Sequence, residues 1–253
     1  MPGRDAGSDL IFLISQPRAG STLLQHVLGS HSEVHTLPEP WILLHPLYAL
    51  RAAGVRAEFD ADLAREALLE FLQRSGADES LYLEQVRRTT RTLYDAALAG
   101  TGKTRFLDKT PRYFHVLPEL RTLFPEAKVV FLLRNPLAVL TSIFDLWDRR
   151  GGNLIELFAT DARHDLTTAP VRIAEAMRTV FPDAPSVRYE DLVTDPEPEV
   201  RGLCERLDLD FEPGMLDYGD KLRFGGKAFG DDKSIGNHDR PVHRHRAPWT
   251  GRP

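Results

Sequence analysis

Short unbroken apolar runs alternate along this chain with longer stretches in which apolar residues return every three or four positions. The runs Leu10–Ser15, Arg105–Asp108, Lys128–Leu133 and 186–189 are compact and strand-sized. They predict strands covered on both faces, as parallel strands are. Leu23, Leu24, Val27 and Leu28 recur at helical spacing, as do Leu117, Leu120, Leu123 and Phe124, and Leu137, Leu140, Ile143, Phe144 and Trp147. Each set predicts a helix with one apolar face. Strand and helix in repeated alternation predict a doubly wound, mostly parallel α/β sheet, in which ligands sit beyond the carboxyl ends of the strands. Residues 41–99 interrupt this order with helix-forming composition and no strand signal, so a helical cap insert on the acceptor side of the site is expected there. Residues 1–9 are expected as a flexible tail. Residues 224–253, rich in Gly, Arg and His, are expected as a C-terminal strap over a ligand. No Pro/Gly/Ser linker divides the chain, and residues 1–253 are read as a single domain.

Composition narrows the function classes. The 253 residues are 42% hydrophobic and 27% charged, enough to bury one large core. The net charge is -5 with dispersed Lys and Arg, which argues against a nucleic-acid partner. Cys204 is the single cysteine; that excludes an internal disulfide framework and fits a reducing cytoplasm. The first apolar run is too short for a signal segment or a membrane span, so no membrane association is expected.

The chemistry is carried by the loops that follow the runs. After Ser15, Gln16-Pro17-Arg18-Ala19-Gly20-Ser21-Thr22 leads into a helical pattern. Strand, tight loop and helix bring free backbone N–H groups and the positive end of a helix dipole to one point, a P-loop-like phosphate-binding arrangement. Gly20 permits close backbone approach, Ser21 and Thr22 add hydroxyl donors, and Arg18 adds a positive fork. It is not a Walker A loop, because Gly20 stands where that motif requires Lys. A Gly102-Lys103-Thr104 tripeptide occurs later, but it precedes a strand instead of following one and is read as a surface turn. A second anion site is indicated where the run Lys128–Leu133 ends at Arg134. Asn135 and Pro136 then give helix start signals, and Ser142 follows about two turns on. Two such sockets on adjacent strands suit a nucleotide phosphorylated at both ends.

Taken in order, Gln16 to Thr22, Asp108-Lys109-Thr110-Pro111, Leu133-Arg134-Asn135-Pro136-Leu137 with Ser142, and Val187-Arg188-Tyr189-Glu190-Asp191-Leu192 resemble the sulfotransferases that use 3′-phosphoadenosine 5′-phosphosulfate (PAPS). The likeness is to the Golgi-type and bacterial branch, which carries Pro-Arg in the first loop. It implies PAPS as co-substrate, 3′,5′-ADP as product and no metal. By the same resemblance Arg18, Ala19, Gly20, Ser21 and Thr22 hold the 5′-phosphosulfate, Arg134 and Ser142 hold the 3′-phosphate, and Tyr189 lines the nucleotide pocket. Lys109 would contact the oxygen bridging phosphate and sulfate, and Lys233 in the tail would be a further phosphate ligand. Glu39, between Pro38 and Pro40, stands where tyrosine-type and bacterial members keep a catalytic glutamate. His35, His45 and His115 are rival bases.

The expected reaction is in-line transfer of a sulfuryl group to a hydroxyl or amine of a small molecule, sugar or natural product. A kinase-like phosphotransferase and a catalytically silent 3′,5′-ADP-binding protein are the alternatives. The amphipathic helices of the insert leave a homodimer open.

Overall fold

The computed structural model describes residues 5–217 apart from 150, 152, 153 and 161. Five strands form one sheet in the order β2-β3-β1-β4-β5: β1 Leu10–Ser15, β2 Val34–Thr36, β3 Arg105–Asp108, β4 Lys128–Leu133 and β5 Ser186–Arg188. Every pairing is parallel, with Ile14 beside Phe131 and Phe12 beside Asp108. The central strand β1 is apolar throughout and buried over its whole length. Its residues divide with period two, as pleating requires. Leu10, Phe12 and Ile14 enter one core with Tyr94, Phe106, Phe131 and Phe124, while Ile11 and Leu13 enter another with Leu24, Val27, Val130 and Leu203.

Helices cover both faces. On the Ile11 side lie α1 (Ser21–Gly29), α10 (Tyr189–Thr194) and α11 (Pro196–Arg206); on the Phe12 side lie α4 (Glu79–Leu98), α5 (Leu117–Leu123) and α9 (Ala169–Thr179). Residues 41–99 fold as α2 (Leu44–Tyr48), α3 (Ala61–Arg74) and α4, the last two opened by Asp60 and Asp78, whose carboxylates accept from Leu63 N and Ser80 N. This insert is not purely a cap: α4 sends Val86, Tyr94 and Leu98 into the sheet core, whereas α3 leaves Leu63 and Phe71 in solvent. Helix α6 (Pro136–Arg149) follows β4, with Asn135 Oδ1 accepting from Leu137 N at 2.9 Å. It is succeeded by the short α7 (Leu154–Ala159) and α8 (Arg163–Thr167).

Three expectations change. Strand β2 gave no sequence signal, because it has three residues and carries His35 and Thr36; pairing to β3 makes it a strand. The fourth expected strand stops at Arg188, and Tyr189 opens α10, whose first turn holds Glu190 and Asp191 at the positive end of the dipole. Within residues 5–9, Gly7 and Asp9 are buried and the segment is tied to the sheet instead of trailing free. Ala6 O accepts from Glu126 N, and the Asp9 carboxylate meets the buried Arg91 guanidinium through both oxygens, at 2.5 and 2.9 Å. Residues 224–253, including Lys233, lie outside the described residues.

The Asp9 to Arg91 fork ties α4 to the start of the central strand. Arg91→Ala strands a buried carboxylate and is expected to lower unfolding free energy by about 3–5 kcal/mol. Urea denaturation reads this directly, and a loss below about 1 kcal/mol, the range of surface pairs, would show that the fork is not a fastening.

Candidate active site

Because all five strands run the same way, their carboxyl ends open on one side, and each delivers a candidate side chain. Arg18 follows β1, Glu39 follows β2, Lys109 follows β3, Arg134 follows β4 and Tyr189 follows β5. The chain winds from β1 to one side for β2 and β3 and to the other for β4 and β5, so β1 borders the topological switch point where such sheets bind ligands.

The loop after β1 is shaped as an anion cradle. Arg18 and Gly20 both take positive φ, 71° and 100°. Helix α1 begins on Gly20, whose carbonyl accepts from Leu23 N and Leu24 N, and no side chain caps its first turn. The opening N–H groups of Ser21 and Thr22 are thus left for an outside acceptor. The Tyr189 ring lies directly on Gly20, and a Cβ there would overlap Cδ2 and Cε2 of the tyrosine. Positive φ and ring contact both demand glycine. Ala19 and Ser21 are both buried.

The second socket touches the first. Arg134 Nη1 donates to Arg18 O at 2.8 Å, its guanidinium lies 4.4 Å from the Tyr189 ring centroid, and Arg18 Nε donates to Ser142 Oγ at 3.1 Å. Among the described residues no acceptor meets the buried Arg134 Nε. A buried guanidinium N–H with no acceptor is an unmet demand for an anion or water, and burial draws the Arg134 pKa down. Glu190 closes the far side, accepting from Asn135 N at 2.9 Å. The uncapped helix, the glycine under a ring and the unmatched Arg134 Nε together fit a doubly phosphorylated nucleotide.

Glu39 and Lys109 form a pair. Lys109 Nζ lies 2.7 Å from Glu39 Oε1, and the side chains are only 3% and 10% exposed. Glu39 Oε2 accepts from the Trp41 indole N–H at 3.0 Å. The glutamate's strand exit is fixed from α1, where Gln25 Nε2 donates to Thr36 Oγ1 and to Leu37 O at 2.8 and 2.9 Å. Beneath Lys109, the buried Asp108 accepts from Tyr94, Tyr113 and Thr110 hydroxyls, and burial raises its pKa to about 6. His26 on α1 is held to about 4, first by burial and then by the Lys109 charge, so it stays neutral beside the ammonium.

The rival bases lie elsewhere. His115 ends the 3-10 turn Pro111–His115 and faces a separate cavity of about 290 Å³ shared with Arg51 and Arg172. Its Nδ1 lies 3.0 Å from Arg172 Nη1, and burial followed by that arginine's charge lowers its pKa to about 4. With Nδ1 accepting from Arg172, the neutral ring carries its proton on Nε2 and keeps no lone pair for an acceptor. His35 packs against Phe106 and feels Lys103; His45 is exposed on α2. Lys103 donates to His31 O at the amino end of β3, across the sheet from the cradle, so the Gly102-Lys103-Thr104 turn holds no phosphate there.

Sequence reasoning missed the supporting polar residues. Gln25 sits in the apolar face of α1 at 1% exposure, a signal that it serves a buried partner. Gln16 Nε2 donates to Asp165 O, and Asp165 binds Arg112 at 2.8 Å. This link between the first loop and α8 left no local trace in the sequence. Among the described residues no group of His, Cys, Asp and Glu is arranged to hold a metal ion, and no helix is long and apolar enough to cross a membrane.

A fully parallel sheet with an uncapped helix start and two touching arginines at its switch point defines a P-loop-like, anion-binding α/β protein. Residues 9–213 match the profile of the sulfotransferase family, and the chain belongs to that family. It is 32% identical to nodulation protein NoeE of Sinorhizobium fredii over 223 residues, covering 79% of this chain and 50% of NoeE. Protein-tyrosine sulfotransferase A of Caenorhabditis elegans is 24% identical over 244 residues, 94% of this chain and 58% of that protein. The chain therefore spans only about half the length of these relatives. Among solved structures, the sulfotransferase domain of the Synechococcus olefin synthase is similar in fold, with a TM-score of 0.61 at 22% identity over 92% of this chain and 83% of that one.

Proposed function

We propose that this chain is a PAPS-dependent sulfotransferase that transfers a sulfuryl group to a hydroxyl or amine of a small molecule, sugar or natural product. The observation that carries the reading is the contact between sockets: Arg134 on the Arg18 carbonyl and Arg18 on Ser142 make one continuous cationic floor. PAPS would lie across that floor, its 3′-phosphate toward Arg134 and Ser142 and its phosphosulfate toward Ser21, Thr22 and Lys109, with the base near Tyr189. Arg18 links the two ends. The acceptor oxygen or nitrogen forms a bond to sulfur, the bond from sulfur to the bridging oxygen breaks, Glu39 takes the acceptor proton, and 3′,5′-ADP leaves. Lys109 stabilises the charge that grows on the bridging oxygen. Nothing in this chemistry requires a metal.

Residues 41–99 supply the acceptor side, and Lys233 is proposed as a further phosphate ligand. A cytoplasmic setting belongs to the same proposal. So does a homodimer through the face of α3 that exposes Leu63 and Phe71.

The test is calorimetric. The protein should bind 3′,5′-ADP more tightly than 5′-AMP, and Arg134→Ala should weaken 3′,5′-ADP by about 10- to 100-fold, the worth of a charged hydrogen bond. Equal affinity for the two nucleotides in the unaltered protein would remove the donor assignment.

A further inference from the structure

We infer that Trp41 is the positioning residue of the general base, holding Glu39 Oε2 through its indole N–H while Oε1 is released to the acceptor. The inference rests on the reading of Glu39 as that base. Both carboxylate oxygens are engaged, Oε1 by Lys109 and Oε2 by Trp41. The Lys109 ammonium carries three N–H donors but one positive charge, and a second anionic partner weakens its hold on Oε1. Once its ammonium turns toward the bridging oxygen of the donor, Oε1 is free to accept a proton, and Trp41 is the group that keeps the carboxylate aimed. Without it, Glu39 would lose its directing contacts at the moment it must act.

The backbone is built for this. Trp41 has φ of 56°, the left-handed region that a bulky side chain avoids. Such strain persists only where neighbours over-determine it. Here Thr110 Oγ1 accepts from Trp41 N at 3.3 Å, Thr110 is fixed by the buried Asp108, and Trp41 O accepts from Leu44 N. On the ring itself the Arg112 guanidinium lies 5.9 Å from the centroid, and Asp165 of α8 holds that arginine. Both ends of the tryptophan are therefore pinned by groups that belong to the frame of the site. The strand-end threonine and the two carboxylates behind it have no other evident task in the reaction.

Turnover with water as acceptor, read beside 3′,5′-ADP affinity, tests the proposal without needing the acceptor. The charged and titratable groups about the site are Lys109 beside Oε1, His26 near Lys109, Arg112 over the indole, and Asp165 and Asp108 behind them. Trp41→Phe keeps a ring beneath Arg112, leaves the other groups in place and removes the indole N–H donor to Oε2. In the same variant, release of 3′,5′-ADP from PAPS with water as acceptor should fall about tenfold in kcat, with 3′,5′-ADP affinity unchanged. Thr110→Val, which removes the oxygen under Trp41 N but leaves the indole in place, serves if Trp41→Phe does not fold; a smaller fall in kcat, again with 3′,5′-ADP affinity unchanged, is expected. An unchanged kcat in the folded variants, or a fall in kcat matched by an equal loss of 3′,5′-ADP affinity, overturns the role of Trp41, even if Glu39→Gln is inactive. Full turnover by Glu39→Gln instead overturns the base assignment on which the inference rests.

Discussion

Lys109→Ala is expected to lower kcat by about 10²- to 10³-fold while leaving 3′,5′-ADP affinity within about threefold. The lysine is buried at the carboxyl end of β3, and its ammonium is held at one place by Glu39. Before reaction the bridging oxygen of the donor carries little charge; as its bond to sulfur breaks, it gains negative charge beside a cation already fixed in a poorly solvated pocket. An interaction that strengthens only in the transition state appears in kcat and not in ground-state binding. Steady-state release of 3′,5′-ADP, paired with calorimetry, separates the two. Unchanged kcat would exclude Lys109 from the reaction. Lys109→Arg should recover little, because a planar fork cannot occupy the space of a point charge hemmed in by Glu39 and the neutral His26.

Glu39→Gln is expected to cut kcat by about 10²- to 10⁴-fold, the range for loss of a general base. The amide keeps the shape of the side chain, and its oxygen can still accept from Trp41, so the protein should fold as before. It also leaves Lys109 without an anionic partner. The freed ammonium should bind 3′,5′-ADP slightly more tightly, so affinity and turnover move in opposite directions. The double variant Glu39→Gln, Lys109→Ala should fall well short of the product of the two single losses, as residues that act as a unit do. Strictly multiplicative losses would mean that the ion pair has no part in the reaction.

Much of the fold was legible because it depends on local apolar pattern. Leu10–Ser15 and Lys128–Leu133 are buried strands in the structure, and the helices built on Leu23 to Leu28 and on Leu117 to Leu123 follow from their spacing. Strand β2 was not legible, since a three-residue strand with two polar positions owes its existence to β3. The site divides the same way. Arg18, Gly20, Arg134 and Lys109 announce themselves by lying just past apolar runs, in loops of turn-forming residues. Trp41, Gln25, Arg112 and Asp165 do not, because their importance is created by contacts between segments far apart in the chain. Phosphate chemistry leaves a local signature; the aiming of a carboxylate is a tertiary property.

The placement of β1 at the middle of the sheet has one more consequence. The groups proposed to grip the donor follow β1, β4 and β5, whereas Glu39, Lys109 and residues 41–99 belong to the β2 and β3 flank. The two trades are housed in separate wings that meet along a single seam. New acceptors could therefore be accommodated by rebuilding the outer part of the β2 and β3 wing around α3, whose Leu63 and Phe71 lie in solvent, while Trp41, Arg91 and Tyr94 are kept to hold the carboxylate, the central strand and the core.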